Sequence, residues 1–247
     1  MEILEELKSE LVENKRDTQV IFYEISQKLM NNYVLKIGEI EIELCEIEFY
    51  YFDCKNHSDP YVHIDDLQKD TFNKLYIHKQ AWNRGGIDIT FGNGSYYGGI
   101  LIRGIKYKNA YIAGSATVKD YIATLICDNH GKEHTILQTQ CDSLNAHLLK
   151  KENNLNYLIY LSTRIGLKND KNEKFAESLY RFVREDYLYA KNDSNFNSYK
   201  NLKDRSKLKA IVDLIGLKGS NEKSTKEKIE KNDSFLCANI KILKDIL

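Results

Sequence analysis

The spacing of hydrophobic residues changes at about residue 34. Before this point, residues 2–14 and about 18–31 place apolar side chains at helical spacing, which predicts two helices that each pack one face. From Val34 onward the period becomes two, and glutamates alternate with the apolar residues Ile40, Ile42 and Leu44. This alternation is typical of a half-buried β-strand.

The glutamates that follow in this strand have two possible orientations. If the strand continues without interruption, Glu46, Glu48 and Tyr50 project to the same side as the preceding isoleucines. A β-bulge near Cys45 would instead return the glutamates to solvent. Both alternatives are open at this point, and buried carboxylates would need a counter-charge or a chemical role.

Shorter alternating or apolar runs follow, and they predict strands at residues 75–78, 87–91, 96–105, 107–112 and 157–160. Residues 92–95, with the sequence Gly-Asn-Gly-Ser, predict a hairpin turn between two of these strands. This glycine-rich segment does not predict a phosphate-binding loop, because such a loop leads from a strand into a helix and here a strand follows.

Helical patterns occur near residues 115–126, 173–184, 204–216 and 222–246. We therefore expect an α+β protein with a single mixed domain, in which helices surround a curved antiparallel β-sheet core and the C-terminal third is helical. Residues 1–190 are predicted to form this domain. Residues 191–247, rich in lysine and asparagine, are predicted to form a helical extension packed on it or appended to it.

The composition is that of a soluble globular protein, with 42% hydrophobic and 29% charged residues in a chain of 247. No apolar run approaches the roughly 18 residues needed to cross a bilayer. The N-terminus is acidic and helix-like, unlike a targeting segment, so we expect a cytoplasmic protein without a membrane partner. The five cysteines form no Cys-x-x-Cys pair, which favours reduced thiols.

The zero net charge conceals an asymmetry between the two parts of the chain. Residues 1–100 carry 10 basic and 18 acidic side chains, and the remainder carries an excess of eight positive charges. A basic second part is able to follow a phosphate backbone, because the field at a groove is set locally. A solvated lysine-rich surface explains the same asymmetry equally well.

Glu48 and Arg103 are the most informative charged residues. Glu48 lies within the alternating strand, and Arg103 ends the apolar run 100–102, so both charges require an explanation. One explanation is a buried salt bridge. The other is a general base held by an arginine, in a pocket lined by Tyr50, Tyr76, His78 and Trp82. Aromatic side chains around one carboxylate suit a flat ligand such as a nucleobase.

Histidines and carboxylates in the same part of the chain are also candidate metal ligands. Imidazole and carboxylate suit zinc or iron, and the candidates are His57, Asp59, His63, His78 and Asp88. Their spacing matches no standard metal site. We therefore expect no metal and no cofactor, and we keep a metal-dependent hydrolase or nuclease that uses His57, His63, His78 and Asp88 as an alternative.

Five pieces of this sequence, in this order, resemble the alkyladenine (3-methyladenine) DNA glycosylase family. The pieces are residues 46–50, 59–63, 75–78, Asp88 and residues 100–103, with the sequences Glu-Ile-Glu-Phe-Tyr, Asp-Pro-Tyr-Val-His, Leu-Tyr-Ile-His, Asp and Ile-Leu-Ile-Arg. The resemblance covers roughly residues 25–105, and residues 164–167 resemble a later motif.

The resemblance implies a role for each matching residue. Glu48 is the expected general base that activates water, and Arg103 is expected to position that water and Glu48. Tyr50 and His78 would stack on a base flipped out of DNA, and His63 would form a hydrogen bond with it. His57, Tyr76 and Asp88 are further expected substrate-binding residues. Trp82, followed by Asn83, lies where the family has its intercalating tyrosine and would fill the gap in the duplex.

The chain departs from the family at positions that contact the base. His78 replaces a tyrosine, and Asp88 stands where the family tends to have an asparagine that screens purines. We therefore expect a pocket for a different base, with Asp88 accepting a hydrogen bond from an exocyclic amine or from a sugar hydroxyl on a modified base.

The sequence thus predicts a monomeric, monofunctional DNA glycosylase that acts on double-stranded DNA and leaves an abasic site. Two roles fit this chemistry: repair of alkylated purines, and excision of a modified bacteriophage base in anti-phage defence. The alternatives are the metal-dependent hydrolase and a non-catalytic nucleic-acid-binding module in which the Glu48–Arg103 pair is structural.

Overall fold

The computed structural model describes residues 2–78, 85–130, 147–150, 155–167 and 172–190. The helices are α1 (Ile3–Glu13), α2 (Thr18–Asn32), α3 (Asp66–Asp70), α4 (Ser115–His130), α5 (Glu173–Glu177) and α6 (Glu185–Tyr189). The strands are β1 (Tyr33–Ile37), β2 (Ile40–Asp53), β3 (His57–Ser58), β4 (Phe72–Ile77), β5 (Ile87–Phe91), β6 (Tyr97–Tyr107), β7 (Ala110–Ala113), β8 (His147–Lys150), β9 (Ile159–Ser162) and β10 (Arg181–Arg184).

The strands form an antiparallel sheet organised around the long strand β2. Its main path runs β4-β5-β6-β2-β1-β8, and β10 pairs with both β2 and β9. One edge of β2 pairs with β1 at its start and with β10 further along, while its other edge pairs with β6. The expected α+β class is therefore confirmed for the described residues, where helices accompany an antiparallel sheet.

The alternation of the sequence predicted most strands of the sheet but missed β10 and the short strands β3 and β8. We predicted a helix over residues 173–184, and the structure has only the short α5, followed by the strand Arg181–Arg184. The helical prediction was wrong there because β10 lies between β2 and β9 and is buried on both faces, so its apolar residues do not mark one helical face. The helices predicted at 204–216 and 222–246, like the rest of the 191–247 extension, lie outside the described residues.

A pair of bulges determines which face of the sheet carries the glutamates. Leu44 pairs with Ile105, Glu46 with Gly104 and Ile47 with Ile102, so Cys45 is an extra residue on β2 and Arg103 is an extra residue on β6. The first alternative, an uninterrupted strand with Glu46 and Glu48 on the side of the isoleucines, was therefore wrong. The bulge near Cys45 exists, but it does not return the glutamates to solvent as the second alternative had it. Glu46 and Glu48 are buried, at 1% and 0% exposure, because the second face of the sheet is also covered.

The first face of the sheet packs on the hydrophobic core. Leu44, Ile47 and Phe49 of β2 belong to one core cluster with residues of α1 and α2, and the Phe49 ring stacks on that of Phe22 with 4.3 Å between centroids. The second face carries the charged residues of β2, and near Cys45 it is covered by a smaller cluster that includes Tyr187 of α6. No helix in the described part of the chain is long and apolar enough to cross a membrane.

The turn between β5 and β6 requires glycine for a steric reason. A Cβ atom at Gly92 would lie 2.3 Å from the backbone carbonyl oxygens of Gln68 and Lys69, so helix α3 packs directly on this turn. The amide of Gly94 donates to the Lys69 carbonyl at 2.9 Å. The turn thus fixes the position of α3 relative to the sheet.

We predict that Gly92→Ala lowers the free energy of unfolding by about 1–3 kcal/mol, because two backbone atoms would have to move to accept the methyl group. Gly94→Asn in the same turn is the control. Nothing lies within 4 Å of a Cβ there, and asparagine tolerates the left-handed backbone at φ 84°. Urea unfolding measures both variants, and an equal loss in the two would contradict the steric explanation.

Candidate active site

Cross-strand pairing aligns the candidate residues in one row. Asp88 of β5 and Glu48 of β2 both pair with Leu101 of β6, and Glu48 also pairs with Arg181 of β10. Directly paired residues project to the same face of a sheet. Asp88, Leu101, Glu48 and Arg181 therefore share the second face, although they lie far apart along the chain.

Glu48 is fully buried and its carboxylate is surrounded by donors. Its Oε2 accepts a hydrogen bond from the Tyr50 hydroxyl at 2.9 Å, and its Oε1 accepts one from the backbone amide of Ile165 at 2.8 Å. The Arg103 Nε lies 3.3 Å from Oε1. Each of these three partners of the Glu48 carboxylate is a hydrogen-bond donor, and Arg103 is also a cation.

Glu46 forms the second half of this ion network. Its Oε1 accepts from Arg181 Nε at 2.8 Å and from Arg103 Nε at 3.3 Å. Burial opposes ionisation of Glu46, but the charges of Arg181 and Arg103 outweigh it and hold its pKa below the ordinary value. Glu46 is therefore ionised at neutral pH, and Arg103 bridges the two glutamates.

A cavity of about 200 Å³ opens on this face of the sheet. It is lined by Tyr50, Tyr61, His63, Gln68, His78, Gly85, Asp88, Leu101, Arg103, Ser115, Ile165 and Leu167. Glu48 is not among the lining residues, but all three of its donors are. The carboxylate therefore lies one layer behind the cavity wall.

Arg164 holds the wall in place from behind. It is buried, its Nη1 donates to the Asp59 carboxylate at 2.6 Å, and its Nη2 donates to the Phe175 carbonyl at 2.9 Å. Its guanidinium carbon lies 4.7 Å from the centroid of the Tyr50 ring. Arg164 thus supports Tyr50 and fixes the backbone that presents the Ile165 amide to Glu48.

The Tyr50 hydroxyl remains a neutral donor. Burial and the neighbouring Glu48 carboxylate raise its pKa well above the ordinary value, since a second negative charge beside Glu48 is unfavourable. The Tyr50 hydroxyl therefore keeps its proton across the physiological pH range.

Three polar side chains form a second network at the opposite wall of the cavity. The Asp88 carboxylate, itself buried, contacts His78 Nε2 through Oδ1 and Gln68 Nε2 through Oδ2, both at 2.7 Å. The His63 ring lies next to His78, with 4.7 Å between ring centroids. Burial lowers the pKa of His78, but the Asp88 charge outweighs burial and raises it above the ordinary value. His78 and Asp88 form an ion pair when the imidazole is protonated.

The structure brings most of the predicted site residues together. Tyr50, His63, His78, Asp88 and Arg103 all line the cavity. Two predicted substrate-binding residues do not line it, and Trp82 and Asn83 lie outside the described residues.

The two exceptions are His57 and Tyr76. The His57 ring contacts the Tyr51 carbonyl and the Tyr180 hydroxyl, each at 2.9 Å. Both ring nitrogens thus have partners within the fold, which accounts for the burial of His57. The Tyr76 ring lies beside that of His78, with 5.3 Å between centroids, so it supports a lining residue from outside the cavity.

Several residues of the site were not predicted from the sequence. Four of them line the cavity: Tyr61, Gln68, Ser115 and Leu167. Two others, Arg164 and Arg181, are buried behind the wall. Arg181 and Arg184 gave no clear signal, since they flank two apolar residues at a spacing of three, which fits a helical face rather than the alternation of a strand. Gln68 gave none, because a glutamine in a polar segment is usually exposed.

The donor arrangement does not match the predicted metal alternative. Within the described ranges, no group of three or more histidine, cysteine, aspartate and glutamate side chains is arranged to hold a metal ion. Both Asp88 oxygens already accept from Gln68 and His78, and His57 is bound elsewhere. Asp59, the remaining candidate ligand, pairs with Arg164.

Comparison with known proteins identified no relative of this chain. The chain matches no protein-family model, and no curated protein sequence is similar to it at a significant level.

We predict opposite pH dependences for His78 and His57. The folded-state pKa of His78 is raised, so its contribution to stability is complete below the unfolded value of about 6.5 and is lost as pH rises through the folded value. The difference in unfolding free energy between wild type and His78→Gln should therefore be larger at about pH 6 than at about pH 9.

His57 supplies the control for this measurement. Burial lowers its pKa, so its contribution is present above about pH 6.5 and is lost as pH falls through the folded value. The difference between wild type and His57→Gln should decrease towards acid, and urea unfolding across this pH range measures both trends. Parallel trends in the two variants would contradict the His78–Asp88 ion pair.

Proposed function

We propose that this protein is a monofunctional DNA glycosylase that hydrolyses the N-glycosidic bond of a modified or damaged base flipped out of double-stranded DNA. The observation that carries this proposal is the arrangement of Glu48, Tyr50 and Arg103, in which a buried carboxylate stands behind a small cavity with an aromatic wall. The roles implied by the resemblance to the alkyladenine glycosylase family fall on these same residues.

The size and lining of the cavity support a single base as ligand. Its volume of about 200 Å³ is below the roughly 300–1,000 Å³ of typical small-molecule sites, which suits one heterocycle rather than a whole nucleotide. Tyr50 and Tyr61 provide apolar ring surface, and His63, His78 and Asp88 provide hydrogen-bonding groups. Enzymes that act on flipped bases read them by stacking and by such polar contacts.

In the proposed reaction, Glu48 accepts a proton from a water molecule that attacks C1′ of the deoxyribose. The C1′–N bond breaks, the base leaves with the bonding electrons, and the water oxygen forms the new bond to C1′. The negative carboxylate also stabilises the positive charge that develops on the sugar. Because Tyr50 occupies Oε2, the mechanism requires its hydroxyl to move from Oε2 as the water binds.

Arg103 has two functions in this mechanism. It lines the cavity, so its guanidinium is able to position the water, and its Nε contacts both glutamates. Burial opposes the charged form of Arg103, but Glu48 and Glu46 outweigh burial and raise its pKa, so it remains a cation. Arg103 is thus a fixed cation beside the proposed general base.

The absence of a lyase step is supported by the cavity wall, which in the described residues contains no lysine. A Schiff base with the abasic sugar requires a primary amine at the reacting carbon. Lys119 of α4 lies outside the wall, with its Nζ 3.8 Å from the position of a Cβ on the lining residue Gly85.

We predict that Glu48→Gln lowers the rate of base release by about 10²–10⁴, because the amide cannot accept the proton from water. Binding to DNA should be retained. The assay incubates the full chain with duplexes that each carry one modified base, including alkylated purines and modified cytosines, and detects released bases by mass spectrometry and abasic sites by alkaline cleavage.

Glu46→Gln is the matched control for this test, because Glu46 lies two positions away on the same face and shares Arg103 with Glu48. This variant should lose stability and keep most of its excision rate per folded molecule. Full activity of Glu48→Gln would refute the mechanism. DNA binding without base release from any duplex by the wild type would instead support a non-catalytic binding module.

A separate prediction concerns the lyase step. Borohydride reduction during turnover should trap no covalent complex between the protein and abasic DNA, since the described residues of the cavity wall include no lysine. A trapped complex that disappears in Lys119→Ala would show that this lysine reaches the sugar and that the enzyme is bifunctional.

A further inference from the structure

We infer that Gln68 selects the base, by accepting a hydrogen bond from a donor group such as an exocyclic amine, and that the cavity disfavours bases with a carbonyl at that position. This inference rests on the proposed function, because it takes the ligand of the cavity to be a nucleobase. It adds a residue that the sequence did not indicate.

The orientation of the Gln68 amide follows from its contact with Asp88. A carboxylate oxygen accepts hydrogen bonds, so the amide nitrogen must face Asp88 Oδ2, where Nε2 donates at 2.7 Å. This leaves Oε1, a buried acceptor that has no hydrogen-bond partner within the described part of the chain. Gln68 is 1% exposed and lines the cavity, so a ligand bound there is the available source of a donor.

The surrounding backbone prevents Gln68 from turning away. Helix α3, which carries Gln68, begins at an Asp65 carboxylate that accepts from the Leu67 amide, and its carbonyls contact Gly92. A Cβ atom at Gly99 would lie 2.7 Å from Asp88 Oδ2 and 2.8 Å from Gln68 Nε2. The two side chains therefore pack directly on the backbone of β6, and the acceptor atoms are held in a fixed arrangement.

The charges at this wall favour the same class of ligand. The Asp88 carboxylate and the Gln68 Oε1 are both acceptors, and the nearby His78 Nε2 is directed at Asp88. A carbonyl oxygen at this position would face an acceptor and leave Oε1 unsatisfied, whereas an amino group would donate to it. Sites built around a buried hydrogen-bonding group reject ligands that lack the complementary group.

The test compares two pairs of free bases that differ mainly in an amino or a carbonyl group: adenine with hypoxanthine, and cytosine with uracil. Binding to the full-length protein is measured by saturation-transfer NMR titration. We expect the wild type to bind at least one amino base about tenfold more tightly than its carbonyl partner, which corresponds to about 1.4 kcal/mol.

Two variants of similar size test the role of Gln68. Gln68→Met removes the acceptor, so the preference should fall to within about threefold, with little change for the carbonyl bases. Gln68→Glu keeps an acceptor oxygen, and it replaces the amide donor to Asp88 only when the two carboxyl groups share a proton, so it should retain the preference for the amino base at mildly acidic pH and lose it as pH rises. Thermal unfolding of both variants confirms that they fold before the titrations are compared.

The inference is wrong if the wild type prefers the carbonyl bases, if none of the bases binds, or if Gln68→Met retains the full preference. These results are independent of catalysis. A clear preference for amino bases in a protein that releases no base from any duplex would reject the glycosylase proposal and leave the assignment of Gln68 intact.

Discussion

The buried ion network of Glu46, Glu48, Arg103 and Arg181 is the interaction on which the site depends. Two carboxylates on one face of a sheet would repel each other and lose their hydration, and neither would be stable in the interior without counter-charges. Arg103 and Arg181 provide these charges from the two strands on either side of β2. The strand order of the sheet therefore places both arginines beside the glutamates. The resulting ion pairs stabilise the buried carboxylates and fix their position beside the cavity.

Local sequence pattern predicted much of the sheet. The alternation of β2, the turn before β6 and the two N-terminal helices follow from residues that are close together in the sequence, and each was found where expected. The strand β10 was missed because its pairing with β2 spans more than a hundred residues, and no local period distinguishes a strand buried on both faces from a helix. The burial of the glutamates depended on residues that cover the second face, which the pattern of β2 alone does not specify.

The residues of the candidate site also differ in whether the local sequence identifies them. Glu48 and Arg103 were identifiable because a charge in an apolar strand requires an explanation, and the structure places them in contact. Gln68 was not identifiable, and Arg164 was noted only within the residues 164–167 that resemble a later motif, since their contacts are with Asp88 and Asp59, to which only the folded chain brings them. Residues that act through a distant partner leave little trace in a single sequence.

The paired bulges of β2 and β6 have a consequence for how the sheet accommodates a buried cation. The pairing of Leu44 with Ile105 and of Ile47 with Ile102 shows that the two extra residues compensate each other and leave the register unchanged on both sides. Loss of Cys45 and Arg103 together would restore a regular ladder, whereas loss of either one alone would shift one strand against its neighbour and exchange its faces. The two bulges together thus place the Arg103 cation beside the carboxylates and keep the core-facing residues of both strands in register.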